Sequence, residues 1–214
     1  MNLRGQSWAA FGPKRKTLAI SLLLGLLFIL VIVRLTTPVR HTFSFAIVKQ
    51  QTTAGRDAGK PLILAQEQPF SKNDLLAILV DTPVKGFLYA FQGFKDGSFE
   101  VLFPLSPGLA AVGQAQRTRL PNEVDKWLGF LNSSVTLVWS PSPVAELEEA
   151  IISSEVEEDD IRTIREPEPA RKLEGFLRTI TVHTRRNIVQ NPNQRSEISS
   201  TDHQVAYRIQ IQVE

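Results

Sequence analysis

The sequence predicts a mainly β protein with some α: an antiparallel, sandwich-like (Ig-like) outer domain behind one N-terminal transmembrane helix. Three observations carry that expectation. Residues 86–108 (GFLYAFQGFKDGSFEVLFPLSPG) form a hairpin pattern dense in aromatics. Short alternating apolar runs recur through the chain, bounded by Gly, Pro, Asn and Asp, as strands joined by tight turns require. Thr17 to Val33 (TLAISLLLGLLFILVIV) is seventeen residues without a charge, about 26 Å of helix and near the thickness of a bilayer core.

Composition narrows the class. The chain has 214 residues, 43% of them hydrophobic and 21% charged, in the range of a folded domain and outside that of a disordered chain. There is no cysteine, so disulfides and thiolate metal sites are excluded. Residues 1–40 carry six Lys or Arg and no acid, leaving 18 basic and 22 acidic residues in 41–214. The outer part is mildly acidic, and a nucleic-acid surface is not expected.

The elements follow in order. Residues 1–16 form a polar, cytoplasmic tail ending in Lys14-Arg15-Lys16. Residues 17–35 form the helix that holds the bilayer, and 36–41 a linker. The run is too long for a signal-peptide core, and RLTTPVRH after it offers no small-x-small cleavage site. The basic cluster outweighs Arg34 and Arg40, which places the N-terminus in the cytoplasm and the rest outside, at the bacterial inner membrane. Residues 42–214 form the outer domain.

Thr42–Lys49 alternates Phe43, Phe45 and Ile47 on one face, a first strand. Leu62–Leu64 is a short strand and Leu75–Val80 a buried one. In the hairpin, Phe87, Tyr89 and Phe91 share one face, with Leu88 and Ala90 opposite. Asp96-Gly97 makes the turn, Phe99, Val101 and Phe103 share a face of the return strand, and Pro104 ends it. Gln116–Leu120 is an edge strand with Arg117 and Arg119 on one face. Lys126–Leu131 reads as a helical turn or a strand. Val135–Ser140 is a strand, and Pro143–Ile152 a helix with proline and acids at its start.

A strand reading G-F-L-Y-A-F, a strand ending in L-F-P, a polar strand ending at Leu120-Pro121, then a strand running into W-S-P-S-P and an apolar-acidic helix, together resemble the bacterial domain of unknown function 4384 family over about residues 75–150. The resemblance implies a β-sandwich module. Such modules accompany caspase-like peptidases or membrane-anchored regulators of sigma factors. No catalytic residue is defined for the family, and none is carried over. The zinc module of the regulators has no counterpart, since no Cys and no His precedes residue 41.

Glu146–Glu168 holds ten acids against Arg162 and Arg165. Its centre, Glu155, Glu157, Glu158, Asp159 and Asp160, lacks the Gly and spacing of a calcium loop and reads as a solvated linker or helix end. Leu173, Phe176, Leu177 and Ile180 are spaced for a second helix from about Ala170, giving way to a strand near Thr179–Arg185. Asn187–Asp202 reads as a long loop. Val205–Val213 alternates cleanly and is expected to pair with Thr179–Arg185 as a terminal hairpin.

His183 and His203 flank that hairpin, but their spacing fits no metal motif. Tyr89, Phe91, Trp127 and Trp139 read as core. No nucleophile elbow, zincin helix, phosphate loop or dinucleotide glycine pattern is present. The expectation is a binding or accessory module without catalytic residues, cofactor or metal, engaging another envelope or signalling protein. Its contacts would be Glu155, Glu157, Glu158, Asp159 and Asp160, and Asn191, Asn193 and Arg195 in the long loop, or an edge strand by strand addition. An anti-sigma-like regulator needs more than a sixteen-residue cytoplasmic tail. An envelope hydrolase needs a convergent polar pocket.

Overall fold

The computed structural model describes residues 22–28, 40–49, 52–53, 56–57, 62–64, 75–122, 128, 133–156, 161–183, 186–190 and 196–210. Residues 1–39 and 40–214 are separate compact units. In the first, residues 22–28 are helical (α1) and all seven are exposed. The remainder of the expected 17–35 helix lies outside the described residues. Among the described residues, no helix is long and apolar enough to cross a membrane.

The second unit begins with β1 (His41–Lys49), β2 (Thr52–Thr53), β3 (Arg56–Asp57), β4 (Leu62–Leu64) and β5 (Leu76–Thr82). The hairpin follows as β6 (Gly86–Gly93) and β7 (Phe99–Phe103), then β8 (Ala111–Val112), β9 (Gln116–Leu120) and β10 (Ser134–Ser140). Next come α2 (Ala145–Ile152), β11 (Glu155–Val156), β12 (Arg162–Ile164) and α3 (Pro167–His183). The last elements are β13 (Arg186–Gln190), β14 (Ser196–Ser200) and β15 (Val205–Gln210).

Every pairing among these strands is antiparallel. The first sheet runs β13-β14-β1-β5-β9, with β4 also on β1, and the second β11-β12-β7-β6-β10-β15, with β8 also on β6. Phe43, Phe45, Ile47, Leu76, Ile78 and Val80 of the first sheet pack with Leu88, Ala90, Val135, Leu137 and Trp139 of the second. That is a sandwich core, formed because one side of each alternating strand is apolar.

The second sheet also has an apolar outer face. Tyr89, Phe91, Phe99, Val101, Val138 and Ala206 pack there with Leu147, Ala150 and Ile151 of α2 and Ala170, Leu173 and Leu177 of α3. The unit therefore has three layers: sheet, sheet, helices. Strands β6 and β10 carry apolar residues on both faces because both faces are covered. Each fully buried Leu or Phe there contributes about 1.5–3 kcal/mol.

The hairpin turn is as expected. Gly97 has φ +85°, Ser98 N–H donates to Asp96 Oδ1 at 2.9 Å, and Gly97 N–H donates to the Phe94 carbonyl. The return strand departs from simple alternation. Ala90 pairs with Phe103 and Phe91 with Val101, so Leu102 is an extra residue in the ladder, a β-bulge. Phe99 and Val101 face the helices, while Leu102 and Phe103 join the sandwich core.

The end of the chain is rearranged relative to expectation. Helix α3 starts at Pro167, where a missing N–H is harmless, and continues through Thr179–His183. The predicted strand at 179–185 is therefore wrong. The stripe of Leu173, Phe176, Leu177 and Ile180 packs against the second sheet, and that burial overrides the strand preference of Thr179, Ile180, Thr181 and Val182. The terminal hairpin is wrong for the same reason. Strand β15 pairs with β10, Val205 opposite Trp139 and Ile209 opposite Val135. The expected loop 187–202 instead contains most of a hairpin, β13 with β14, that joins the first sheet through β1.

Helix α3 is tied to the sheet by charge as well as packing. Arg208 on β15 donates from Nη1 and Nη2 to the two carboxylate oxygens of Glu174, at 3.2 and 3.1 Å. Its Nε–H donates to Thr136 Oγ1 on β10 at 3.2 Å. Both ionic side chains are largely shielded, and a two-point fork of this kind holds orientation as well as charge.

Candidate binding site

Of the contact residues nominated from sequence, Glu155 is the one among the described residues. Glu155 lies in β11, an outer strand of the second sheet, opposite Thr163, with its side chain exposed. It is thus part of a short strand, not of a free linker. Glu157, Glu158, Asp159 and Asp160 lie outside the described residues, as do Asn191, Asn193 and Arg195. Tyr89, Phe91 and Trp139 are fully buried core; Trp127 lies outside the described residues.

His183 ends α3. His203 lies in the turn before β15, with Nε2 3.3 Å from Ser142 Oγ. The histidine it affects is His41, at the start of β1. Burial, and then the charge of His203, hold the His41 imidazole below its ordinary pKa. The His41 ring stacks at a tilt on Trp139, 4.9 Å between centroids. Among the described residues, no group of three or more His, Cys, Asp or Glu is placed to hold a metal ion.

The helical layer supplies a site that the single-residue reading missed. Tyr89 fixes α2 in place. Its hydroxyl donates to Glu148 Oε1 at 2.8 Å and accepts from the Val144 N–H at 3.1 Å. Glu148 Oε2 accepts from the Gly108 N–H at 2.8 Å. One acid of the helix is thereby drawn to the sheet, and burial raises the Tyr89 hydroxyl pKa well above its usual value. Leu147, Ala150 and Ile151 turn inward, and Glu146 and Glu149 remain exposed.

Between α2 and α3 lies a groove of about 410 Å³. Its apolar lining includes Ala150, Leu173 and the half-buried Phe176. Glu146, Glu149, Glu166 and Glu168 also line it, with Lys172 the cation among them. Lys172 is held by Glu168 at 3.1 Å, one helical turn away. Among the described residues, Glu146, Glu149 and Glu166 make no ion pair. The groove thus combines an apolar seat with a surplus of exposed carboxylates, suited to a cationic, partly apolar segment.

The signal for this groove was present in the acidic run from Glu146 to Glu168. Read linearly, the run is a charged linker. In the fold, its two ends sit on two neighbouring helices and meet across the groove. No family model, no curated protein and no solved structure matches the chain. The likeness to the domain of unknown function 4384 family therefore stands on the residues quoted for it.

Proposed function

We propose that the chain is a single-pass, membrane-anchored binding module, with its N-terminus in the cytoplasm and its folded unit outside, that engages another envelope or signalling protein. The anchor is the uncharged run Thr17–Val33 behind Lys14-Arg15-Lys16. The observation that supports binding is the α2–α3 groove, with its apolar lining of Ala150, Leu173 and Phe176 beside four glutamates. Its occupant is a partner segment bearing Lys or Arg around a large apolar side chain. The apolar side chain seats between the helices, and the cations meet Glu146, Glu149 and Glu166 at an exposed rim, where charge sets orientation and on-rate more than affinity.

The test is retrieval of the chain from its native membrane in mild detergent. A stoichiometric protein partner is expected, and it is lost from the triple variant Glu146→Gln, Glu149→Gln, Glu166→Gln. Recovery of the chain alone refutes the binding reading. A partner retained in full by the triple variant refutes the groove as its seat.

A further inference from the structure

Helix α3 borders a second concavity with the opposite charge. A cleft of about 750 Å³ is lined by the hairpin turn, the start of β10, the end of β15 and the first turns of α3. Its cations are Lys95, Arg165, Arg171 and Arg208, and its acids Asp96 and Glu174. This is a positive lining on a unit whose residues 41–214 sum to a formal charge of −4.

The acids are already engaged. Asp96 accepts from the hydroxyl and the backbone N–H of Ser98 at 2.6 and 2.9 Å. Those two bonds hold its carboxyl below the usual range, so it remains ionised and occupied. Glu174 is forked by Arg208. Of the cations, Arg208 is held in that fork, and two others are less engaged. Lys95 on the turn and Arg171 on the helix are exposed and, among the described residues, make no ion pair. Ser133, Ser134 and Gln210 add hydroxyl and amide groups to the lining, and Phe94 and Pro167 add apolar surface.

We propose that this cleft binds a small anionic ligand through a carboxylate or phosphoryl group, held between Lys95 and Arg171. A cation from each of two different elements favours one negative group set between them. A concave site focuses that field against the negative charge of the rest of the unit. The hydroxyl and amide lining suits a polar, hydroxylated ligand body.

The test is calorimetric titration of the full chain in detergent with inorganic phosphate, with glucuronate and with glucose. At least one anion is expected to bind, glucose at least tenfold more weakly, and the anion's affinity to fall as salt rises. A response to phosphate alone assigns a phosphoryl group; a response to glucuronate alone assigns a carboxylate. The double variant Lys95→Ala, Arg171→Ala should lose at least tenfold in affinity. Lys85→Ala, exposed just before β6 and outside the cleft lining, should lose nothing. Each variant is first checked for an unchanged melting curve. The proposal is overturned if neither anion outbinds glucose, or if the double variant binds like the parent.

Discussion

Tyr89 Oη and Glu148 Oε1 are 2.8 Å apart, although 59 residues separate them in sequence. That one bond joins the central hairpin to α2. Through the Val144 and Gly108 N–H groups, it also gathers the chain entering the helix and the turn leaving the hairpin. Tyr89→Phe keeps the ring and removes the hydroxyl. The Val144 N–H, buried where it meets Tyr89, is then left without its acceptor, at a cost of about 1–3 kcal/mol. A urea midpoint lowered with unchanged slope is the expected result; an unchanged midpoint removes the bond from the account of stability.

The same tyrosine makes the unit alkali-sensitive. Burial comes first among the causes that raise its pKa in the folded state, so above the ordinary value of 10.0 the unfolded chain loses a proton that the folded chain keeps. Proton release then favours unfolding, and stability falls as pH rises from there. Lysines contribute to alkaline unfolding in any variant, so the readout is a difference. Wild type minus Tyr89→Phe, followed by melting temperature from pH 8 to 11.5, should narrow as pH rises.

His41 gives the opposite limb. Its imidazole is held below 6.5 by burial and by His203. Below about that pH the unfolded chain binds a proton that the folded chain resists. Stability therefore falls on acidification from there and levels off below the lowered value. His41→Gln should flatten the melting temperature between pH 7 and 5. His203→Gln should flatten it by less, since burial comes first among the causes. An acid limb identical in all three proteins contradicts the assignment.

Gly86 is fixed by close approach. A Cβ there would lie 2.6 Å from Trp139 Cζ2 and 2.7 Å from the Ser140 carbonyl oxygen. The carbonyl belongs to the β10 backbone, which pairs with β6 and has little room to yield. Gly86→Ala should cost about 1–3 kcal/mol, as overpacked cores do, with a changed tryptophan emission spectrum. A midpoint within 0.5 kcal/mol of wild type (about the scatter of a neutral surface change) would falsify the contact.

The sequence carried more about elements than about their neighbours. The hairpin, its Asp96-Gly97 turn, β1, β5, β9, β10 and α2 were legible because each has its own local pattern of alternation, turn residues and proline. Strand β15 was legible as a strand too. Its partner was not: nothing in VAYRIQ distinguishes β10 from any other half-buried edge, and the nearest apolar run upstream belonged to a helix. The reversal of Phe103 depended on the bulge at Leu102, which no residue type announces. The groove was hidden because it needs two helices at once. The apolar residues on both faces of β6 signalled burial of both, but not that helices would cover one of them.

The pairing of β10 with β15 has a consequence for timing. A chain delivered N-terminus first presents β6, β7 and β10 before β15 arrives to cover the far edge of β10. Until then that edge is bare, and Glu174 on the already formed helix has no Arg208 to meet. The sheet is sealed late, by a contact of long sequence separation, so its closing step belongs to the slow class of folding events. During that interval the unsealed β10 is one place where a chaperone would be useful or a wrong strand would enter.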